Sequence, residues 1–299
     1  MAASSPHAPA LPKAESPPTF VAPAHWRAID LLSDLHLGEN TPRVFDAWAA
    51  HLRHTDADAV FILGDLFEVW VGDDMAERGF EARCAEVLAA AAAERTVGFM
   101  AGNRDFLVGD ALLEANGVVR LADPTVVVAF GERVLLSHGD ALCIDDVPYQ
   151  RYRAVVRRPG VQRAFRTLPF PARRAIGNAL KRRSSRREPR ERGGYIDVNA
   201  SAALAWMQGA GTPTLIHGHT HAPASHELAP GAVRHVLSDW ELDGSSQPRA
   251  EILRWSASGF VRFAPLSSPR SSAPCPAGGS AGGAPVRSSD APSPTRSGS

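Results

Sequence analysis

The chain has 299 residues, of which 44% are hydrophobic, and its 32 basic and 32 acidic residues give a formal net charge of zero at pH 7. It contains no run of about 18 apolar residues and begins without a basic stretch followed by an apolar one, so we expect neither a membrane-spanning helix nor a secretory signal. Its three cysteines are few and odd in number, which favours a reducing compartment without structural disulfides. We therefore expect a cytoplasmic protein.

Both ends of the chain differ in composition from the middle. Residues 1–25 contain six Pro and seven Ala, and residues 267–299 contain ten Ser, six Pro, five Ala and five Gly. Such segments bury too little apolar surface to offset the entropy lost on ordering them. The sequence therefore predicts disordered tails at 1–25 and 267–299 and one large domain at 26–266.

Within this domain, short apolar runs alternate with helical patterns in the first half, and a hairpin and further strands dominate the second half. The predicted strands lie at 26–32, 58–63, 96–100, 125–130, 133–137, 213–216, 233–237 and 250–255. The predicted helices lie at 43–53, 80–93, 110–116 and 198–207. This order predicts a mixed α/β sandwich.

Five of the predicted strands end in a polar cluster rich in Asp, Asn or His. The clusters are Asp34-Leu35-His36, Gly64-Asp65, Gly102-Asn103-Arg104-Asp105, His138-Gly139-Asp140 and His219-Thr220-His221. Because the carboxyl ends of strands in α/β sheets open onto one crevice, we expect the clusters to converge. The candidate metal ligands are Asp34, His36, Asp65, Asn103, His138, His219 and His221. Oxygen and imidazole ligands without thiolate favour Mn, Fe or Zn, and this number suits two ions.

Each cluster taken alone has an ordinary structural explanation. Asn103 beside Gly102 is typical of a turn, and a single His138 in an apolar run is more often a hydrogen-bonded core histidine. The ordered combination is harder to explain by packing, because burying so many unpaired polar side chains would be costly. Spacing alone leaves open whether His219 acts with His217 or with His221.

The ordered set resembles the calcineurin-like metallophosphoesterases, whose pattern is D-x-H, G-D, G-N-[HR]-D/E, H-G and G-H-x-H, over residues 29–240. Longer stretches, ILGDLFEVWVGDD at 62–74 and GNRDFL at 102–107, resemble the branch that cleaves the pyrophosphate of a UDP-linked diacylglucosamine in lipid A biosynthesis. The resemblance implies a four-layer α-β-β-α sandwich with a helical lid insertion. It also implies a pair of Mn²⁺ ions, with other divalent transition metals as alternatives, and UMP and a diacylglucosamine 1-phosphate as products.

The resemblance implies a role for each candidate residue. One ion would be held by Asp34, His36 and His221, the other by Asn103, His138 and His219, and Asp65 would bridge both. The family register thus favours His221 over His217. The catalytic residues would be Asp65, Asn103, Arg104 and His138, and the substrate-binding residues Asn103, Arg104, Asp146, Ser184 and His219.

For Arg104 and Asp140 the sequence leaves two alternative roles open. Arg104 suits a phosphate, since its guanidinium donates a charged fork, but it also suits a salt bridge to Asp105. Asp140 either orients a ligand histidine or caps a turn.

The chain departs from the family pattern in the lid. Where the family has an Asn and a Lys, an ungapped register from Asp197 places Glu188 and Glu191, and we do not transfer those two roles. Arg190 or Arg192 is a candidate for the missing positive charge.

A strongly basic segment interrupts the domain. Residues 151–192 hold 15 Arg or Lys and two acids, and the pattern over 149–192 predicts a helical insertion of at least two helices, broken near Pro169 and Pro171. These helices either pack on the core or form a lid with apolar inner faces for two acyl chains. The metal motifs favour the lid, with arginines facing the phosphates of a sugar-nucleotide lipid or an anionic membrane. We therefore expect peripheral association with the cytoplasmic face of the inner membrane, and no obligate protein partner.

Two other functions are compatible with parts of the sequence. One is a metallophosphoesterase that acts on another nucleotide or phosphodiester. The other is an Arg-rich nucleic-acid-binding protein with a non-catalytic metal site. The absence of interleaved aromatic residues in 181–192 argues against nucleic acid as a partner.

Overall fold

The computed structural model describes residues 16–185, 196–244 and 247–266, in which it places twelve strands and seven α-helices. The strands are β1 (Thr19–Val21), β2 (Ala28–Leu32), β3 (Ala59–Leu63), β4 (Thr96–Met100), β5 (Val119–Leu121), β6 (Thr125–Ala129), β7 (Glu132–Ser137), β8 (Thr214–His217), β9 (Ala224–Ala229), β10 (Ala232–Val236), β11 (Ile252–Ser256) and β12 (Gly259–Phe263). The helices are α1 (Pro42–His54), α2 (Gly79–Ala92), α3 (Asp110–Ala115), α4 (Val147–Val156), α5 (Pro159–Arg166), α6 (Phe170–Ser185) and α7 (Ala200–Ala210).

The strands form two six-stranded mixed sheets. The first has the order β12-β11-β2-β3-β4-β5, with β2 to β5 parallel and β11 antiparallel to β2. The second has the order β1-β6-β7-β8-β10-β9, with β7, β8 and β10 parallel. Strands β6 and β7 form a hairpin whose turn residues, Phe130 and Gly131, both have positive φ, as a two-residue turn between twisted strands requires.

The continuous apolar runs of β2 and β3 are explained by burial on both faces. Along β3, Phe61 and Leu63 point into the core between the two sheets, whereas Val60 and Ile62 point into a second core under α1, α2 and α3. A third core lies on the far face of the other sheet, where Trp206 of α7 packs. Parallel strands covered on both sides have this composition. The predicted four-layer α-β-β-α arrangement is confirmed.

The predicted N-terminal tail is wrong in its last residues. Strand β1 pairs in parallel with β6, and the ring of Phe20 packs against Trp26 and Phe61. An edge position needs only a few residues to gain backbone hydrogen bonds and to bury one aromatic ring, so the Pro- and Ala-rich composition did not reveal it. Residues 1–15 and 267–299 of the predicted tails lie outside the described part.

The basic segment forms three helices, α4 to α6, hereafter the three-helix segment. Pro159 and Pro171 lie in the first turns of α5 and α6, where a missing N–H costs nothing. Arg173 of α6 donates to the carbonyl oxygen of Val71 over 2.7 Å and pairs with Asp74, which ties this helix to the loop after β3. Six large apolar side chains of the segment are 38 to 45% exposed, namely Tyr152, Val155, Val161, Leu168, Ile176 and Leu180. Among the described helices, none combines the length and apolar character needed to cross a bilayer.

Candidate metal centre

The five polar clusters meet at one end of the two sheets, held together by backbone hydrogen bonds between their loops. The amide of Asp34 donates to the carbonyl oxygen of Gly64 over 3.1 Å, that of His36 to Asp65 over 3.0 Å, and that of Gly218 to His138 over 3.0 Å. The strand ends therefore converge, as the sequence predicted.

The backbone of these loops is unusual. Five of the seven predicted ligands have a φ between 50° and 69°, in the left-handed region that residues other than glycine usually avoid. They are Asp34, His36, Asp65, His219 and His221. Each costs conformational energy that the surrounding structure must offset, and such residues concentrate at functional sites. This backbone conformation directs the side chains of residues that are two apart in sequence into the same pocket.

Three residues form the first candidate ligand group. The ligand atoms of Asp34, His36 and His221 lie within 4.8 Å of one another, and the Nε2 atoms of the two histidines are 3.2 Å apart. The Oδ2 atom of Asp34 accepts from Ser33 Oγ over 2.6 Å and from the His219 amide over 2.8 Å. Its Oδ1 atom is buried without a hydrogen-bond partner among the described residues and lies 3.5 Å from His221 Nε2. A buried, unpartnered carboxylate oxygen beside two imidazoles fits a cation.

The second group is built around His138. Its Nδ1 atom lies 2.9 Å from the carbonyl oxygen of Leu63, which fixes the proton there and leaves a lone pair on Nε2. That Nε2 atom is 2.9 Å from Asn103 Oδ1 and 3.7 Å from Asp65 Oδ1. The rings of His138 and His219 are 5.2 Å apart. When the ring of His138 is neutral, its Nε2 lone pair faces these oxygens, so the three groups are suited to bind a cation.

The two groups are joined through aspartates. Asp34, Asp65 and His138 also bring their ligand atoms within 4.8 Å of one another. Asp34 therefore belongs to both groups, whereas the sequence singled out Asp65 as the shared residue.

Charge in the pocket is strongly unbalanced. Burial raises the pKa of Asp34, but hydrogen bonding and the charge of His221 outweigh it and hold that pKa well below its usual value. Burial lowers the pKa of His138, but carboxylates, Asp65 and Asp34 foremost, raise it to about 9. Burial, followed by the charge of His138, lowers the pKa of His219 to about 4. The carboxylates therefore stay ionised and favour positive charge between them.

Arg104 does not pair with Asp105, so that alternative is wrong. Its amide donates to Asp65 Oδ1 over 2.9 Å, and its guanidinium donates to Glu68 Oε1 over 3.1 Å. Asp105 instead accepts from the amides of Gly102 and Leu66, both over 2.7 Å, and so fixes the loops that carry the ligands. Burial and the nearby Asp65 raise the pKa of Asp105 to about 6.

Glu68 is a site residue that our sequence reasoning missed. Its Oε2 atom lies 3.2 Å from His36 Nδ1, and its Oε1 atom lies 3.3 Å from Lys181 Nζ of α6. Burial raises the pKa of Glu68, but His36, Arg104 and Lys181 outweigh it and lower the pKa to about 2. Its position within the FEVWVGDD stretch was the available signal, but its partners lie far away in sequence.

The remaining predicted residues lie at different distances from this pocket. His217 is buried and directs Nδ1 to the carbonyl oxygen of Gly218 over 2.8 Å, and it belongs to neither group. Asp146 caps α4 by accepting from the amide of Tyr149 over 3.0 Å. Asp140 makes no hydrogen bond to a histidine among the described residues; its Oδ2 atom accepts from Tyr149 and Arg153, and its Oδ1 atom has no hydrogen-bond partner there. The side chain of Ser184 lies outside the described part, as do Glu188, Arg190, Glu191 and Arg192 entirely.

A comparison with known families matches residues 28–223 to the family described as calcineurin-like phosphoesterase. A UDP-2,3-diacylglucosamine hydrolase of Pseudomonas fluorescens is 40% identical over 219 residues, which cover 72% of this chain and 88% of that protein. Relatives with the same name from Aromatoleum aromaticum and Stenotrophomonas maltophilia are 40% and 38% identical, and cover 76% and 77% of this chain and 93% and 95% of their own. The chain therefore belongs to the calcineurin-like phosphoesterases and, within them, to the family of UDP-2,3-diacylglucosamine hydrolases.

A solved archaeal phosphodiesterase aligns with a TM-score of 0.42 and 12% identity over 79% of this chain and 98% of its own. The family implies a divalent metal cofactor, and the two groups described above are chemically suited to hold one.

Proposed function

We propose that this protein hydrolyses the pyrophosphate bond of UDP-2,3-diacylglucosamine, producing UMP and 2,3-diacylglucosamine 1-phosphate, a step of lipid A biosynthesis. One water molecule is consumed, and one P–O–P bond is broken. The observation that carries the proposal is the pocket in which imidazole nitrogens and a carboxamide oxygen face one another. The chain that forms this pocket is about 40% identical to hydrolases named for this substrate.

We propose that the pocket binds two Mn²⁺ ions. Asp34, His36 and His221 would hold one, Asn103, His138 and His219 the other, and Asp65 would lie between them. When bound, such ions lower the pKa of a water molecule and neutralise charge on phosphoryl oxygens. The support is the two groups of ligand atoms and the buried Asp34 Oδ1 atom, whose negative charge favours a cation.

The chain's own residues prepare this site in three ways. Ser33 and the His219 amide hold Asp34 in its anionic form by donating to Oδ2. Leu63 orients His138 through its carbonyl oxygen. The charged carboxylate of Glu68, 3.2 Å from His36 Nδ1, favours the proton on that nitrogen and so leaves the Nε2 lone pair of His36 facing the pocket.

We propose that Arg104 binds a phosphate of the substrate. Its backbone is fixed to Asp65, and its guanidinium lies at the entrance beside Glu68, only 14% exposed. A planar guanidinium is suited to two parallel hydrogen bonds with phosphate oxygens. Asn103, Asp146, Ser184 and His219 remain proposed substrate contacts.

We propose that the three-helix segment is the lid that receives the acyl chains. Its exposed apolar side chains, among them Val155, Ile176 and Leu180, would otherwise face water. Basic residues on the same segment would bring the enzyme to the anionic cytoplasmic face of the inner membrane, where its lipid substrate resides.

Three arginines of this segment are bound by the protein itself and are not available to nucleic acid, although others, among them Arg151 and Arg158, are exposed. Arg153 donates to Asp140 over 2.8 Å, Arg157 to the Gly102 carbonyl oxygen over 2.8 Å, and Arg173 to Val71. A phosphate-binding surface for nucleic acid needs arginines that face outward.

The proposal is tested by incubating the full chain with synthetic UDP-2,3-diacylglucosamine and Mn²⁺, and identifying the products by mass spectrometry. We expect UMP and 2,3-diacylglucosamine 1-phosphate, none of either with excess chelator, and far slower cleavage of bis(p-nitrophenyl) phosphate. Hydrolysis of the small diester with no cleavage of the lipid would favour a metallophosphoesterase of another substrate.

A further inference from the structure

Asp140 is a fully buried carboxylate two residues after His138, and all of its side-chain partners come from one helix. Its Oδ2 atom accepts from Tyr149 Oη over 2.5 Å and from Arg153 Nε over 2.8 Å, and Arg157 Nη2 lies 3.6 Å away. Tyr149 and Arg153 lie on α4, the first helix of the three-helix segment, and Arg157 directly follows that helix. The carboxylate therefore joins this helix to the loop that carries a candidate metal ligand.

The same helix touches the other two loops of the second ligand group. The ring of Tyr149 stacks on that of His219, with centroids 5.9 Å apart and 29° between planes. Arg157 donates to the carbonyl oxygen of Gly102, the residue before Asn103, over 2.8 Å. One helix thus contacts all three loops that carry Asn103, His138 and His219.

A second buried carboxylate reinforces this attachment. Asp123 Oδ1 accepts from the amide of His138 over 3.2 Å and from Ser137 Oγ over 2.6 Å, and its Oδ2 atom lies 3.8 Å from Arg153 Nη2. Arg153 therefore lies between two buried carboxylates that both adjoin His138. An arginine held in this way has little freedom, because either displacement leaves a buried charge without its partner.

The other helices of the segment are attached differently. Arg166 of α5 donates to the Leu107 carbonyl oxygen over 3.4 Å, and Arg173 of α6 pairs with Val71 and Asp74. None of these three acceptors is a candidate ligand. Lys181 of α6 also reaches the pocket, because its Nζ atom lies 3.3 Å from Glu68 Oε1 beside His36. Among the described contacts, α4 is the helix that adjoins the loops of the second ligand group.

We propose that Asp140 is a positioning residue, whose carboxylate holds α4 against the loops of Asn103, His138 and His219 so that the substrate-binding side of the segment is fixed beside the cleavage site. The part of this proposal that concerns substrate rests on the proposed function. Asp140 does not touch the reacting atoms, and it acts through Tyr149 and Arg153.

The test compares Asp140→Asn with a matched control elsewhere in the core. Asp30 is equally buried and also accepts from a hydroxyl, Thr55 Oγ1 at 2.6 Å, and from an arginine, Arg254 Nε at 2.7 Å, but it lies inside β2 away from the pocket. We expect Asp140→Asn to raise KM for UDP-2,3-diacylglucosamine roughly tenfold while kcat falls much less. Asp30→Asn should lower thermal stability without changing KM.

A second variant serves if Asp140→Asn does not fold. Arg153→Lys keeps the positive charge between Asp123 and Asp140 but removes the guanidinium Nε–H that donates to Asp140, so it should raise KM in the same direction and by less. Hydrogen exchange of the folded variant should show faster exchange over α4, with the strands of both sheets unchanged.

The proposal is overturned if the folded variant keeps the wild-type KM or the wild-type exchange rate over α4. If the wild-type chain cleaves only other phosphodiesters, the proposed function is wrong, whatever the role of Asp140. The exchange measurement then still decides whether Asp140 fixes α4.

Discussion

At the scale of single residues, the most informative contacts are those of the imidazole Nε2 atoms. His36 and His221 direct Nε2 atoms at one another over 3.2 Å, and His138 Nε2 faces Asn103 Oδ1 over 2.9 Å. Each contact needs a proton or a cation between its two atoms, because two lone pairs repel. A metal ion that replaces those protons would be bound by all of these atoms, so the contacts favour a cation site more directly than any single ligand type does.

Asp65→Ala should abolish hydrolysis. The carboxylate lies within reach of His138 and accepts the Arg104 amide, so its removal would take away both a proposed shared ligand and the support of Arg104. Several kcal/mol of charge stabilisation correspond to roughly a thousandfold loss of kcat or more. Steady-state kinetics with the lipid substrate measure this, and near-normal turnover would refute the assignment.

Glu68→Gln should weaken metal binding about 10- to 100-fold, because the neutral amide no longer polarises His36. Titration with Mn²⁺ in a calorimeter measures the affinity. Glu94→Gln is a matched control, since Glu94 is an exposed partner of Arg95 outside the pocket. Equal affinities for the two variants would show that Glu68 does not support the site.

The candidate ligands were predictable at this scale and their supports were not. Asp34, His36 and the other candidate ligands occur in sequence order at the ends of apolar strands, a pattern that the sequence alone reveals. Glu68 and Asp140 have partners, Lys181 and Arg153, on helices whose packing position no local pattern specifies. For the same reason the sequence could not decide between the two alternatives for Arg104.

At the scale of elements, β2 illustrates how a buried polar network adds to apolar packing. Its middle residue, Asp30, joins α1 and β11 through His51, Thr55 and Arg254. Loss of this network should therefore lower the stability of the fold.

This network predicts a dependence of stability on pH. Burial raises the pKa of Asp30, but hydrogen bonds from His51 and Arg254 outweigh it and lower the pKa from 3.8 to about 2. Because the pKa is lower in the folded state, the stabilisation is present above about pH 4 and is lost as the pH falls towards 2. Asp30→Asn should reduce the free energy of unfolding at pH 7 by about 2 kcal/mol and flatten its change between pH 4 and pH 2.

Urea unfolding at a series of pH values measures this effect. Asp56→Asn is the control, since Asp56 pairs with the same Arg254 at 2.7 Å but is 80% exposed, and it should change stability little. An Asp30→Asn profile parallel to that of the wild type across this window would contradict the argument.

Most buried elements followed from apolar periodicity, and the missed ones are edge or short strands. β1, β5, β9 and β12 have three to six residues each, and all four lie at sheet edges. Such strands depend on a neighbouring strand to pair with, which the sequence of the strand alone does not contain. The three-helix segment was predicted from its prolines and its arginines.

At the scale of the whole molecule, the site depends on both sheets at once. His36 follows a strand of one sheet and His221 a strand of the other, so the ligand groups form only when the sheets pack together. Arg262 of β12 donates to the carbonyl oxygens of Ala224 and Val236 in the opposite sheet, over 3.0 and 2.8 Å, and helps to hold that packing.

Metal binding should therefore stabilise the entire fold. An ion that binds the folded chain at a hundred times its Kd adds ~3 kcal/mol, which raises the Tm of a domain of this size by roughly 5–10 °C. Thermal unfolding with Mn²⁺ and with excess chelator measures the difference. Asp65→Ala should show a smaller rise, and an unchanged Tm in the wild type would mean that the pocket is not a metal site.

Anomalous diffraction at the manganese edge, from crystals of the protein grown with Mn²⁺, tests the convergence of the five strand ends most directly. We predict two anomalous peaks in one pocket, one bound by His36 and His221 and the other by His138 and Asn103. Well-ordered crystals without a peak between these side chains, or with manganese bound elsewhere, would contradict this account.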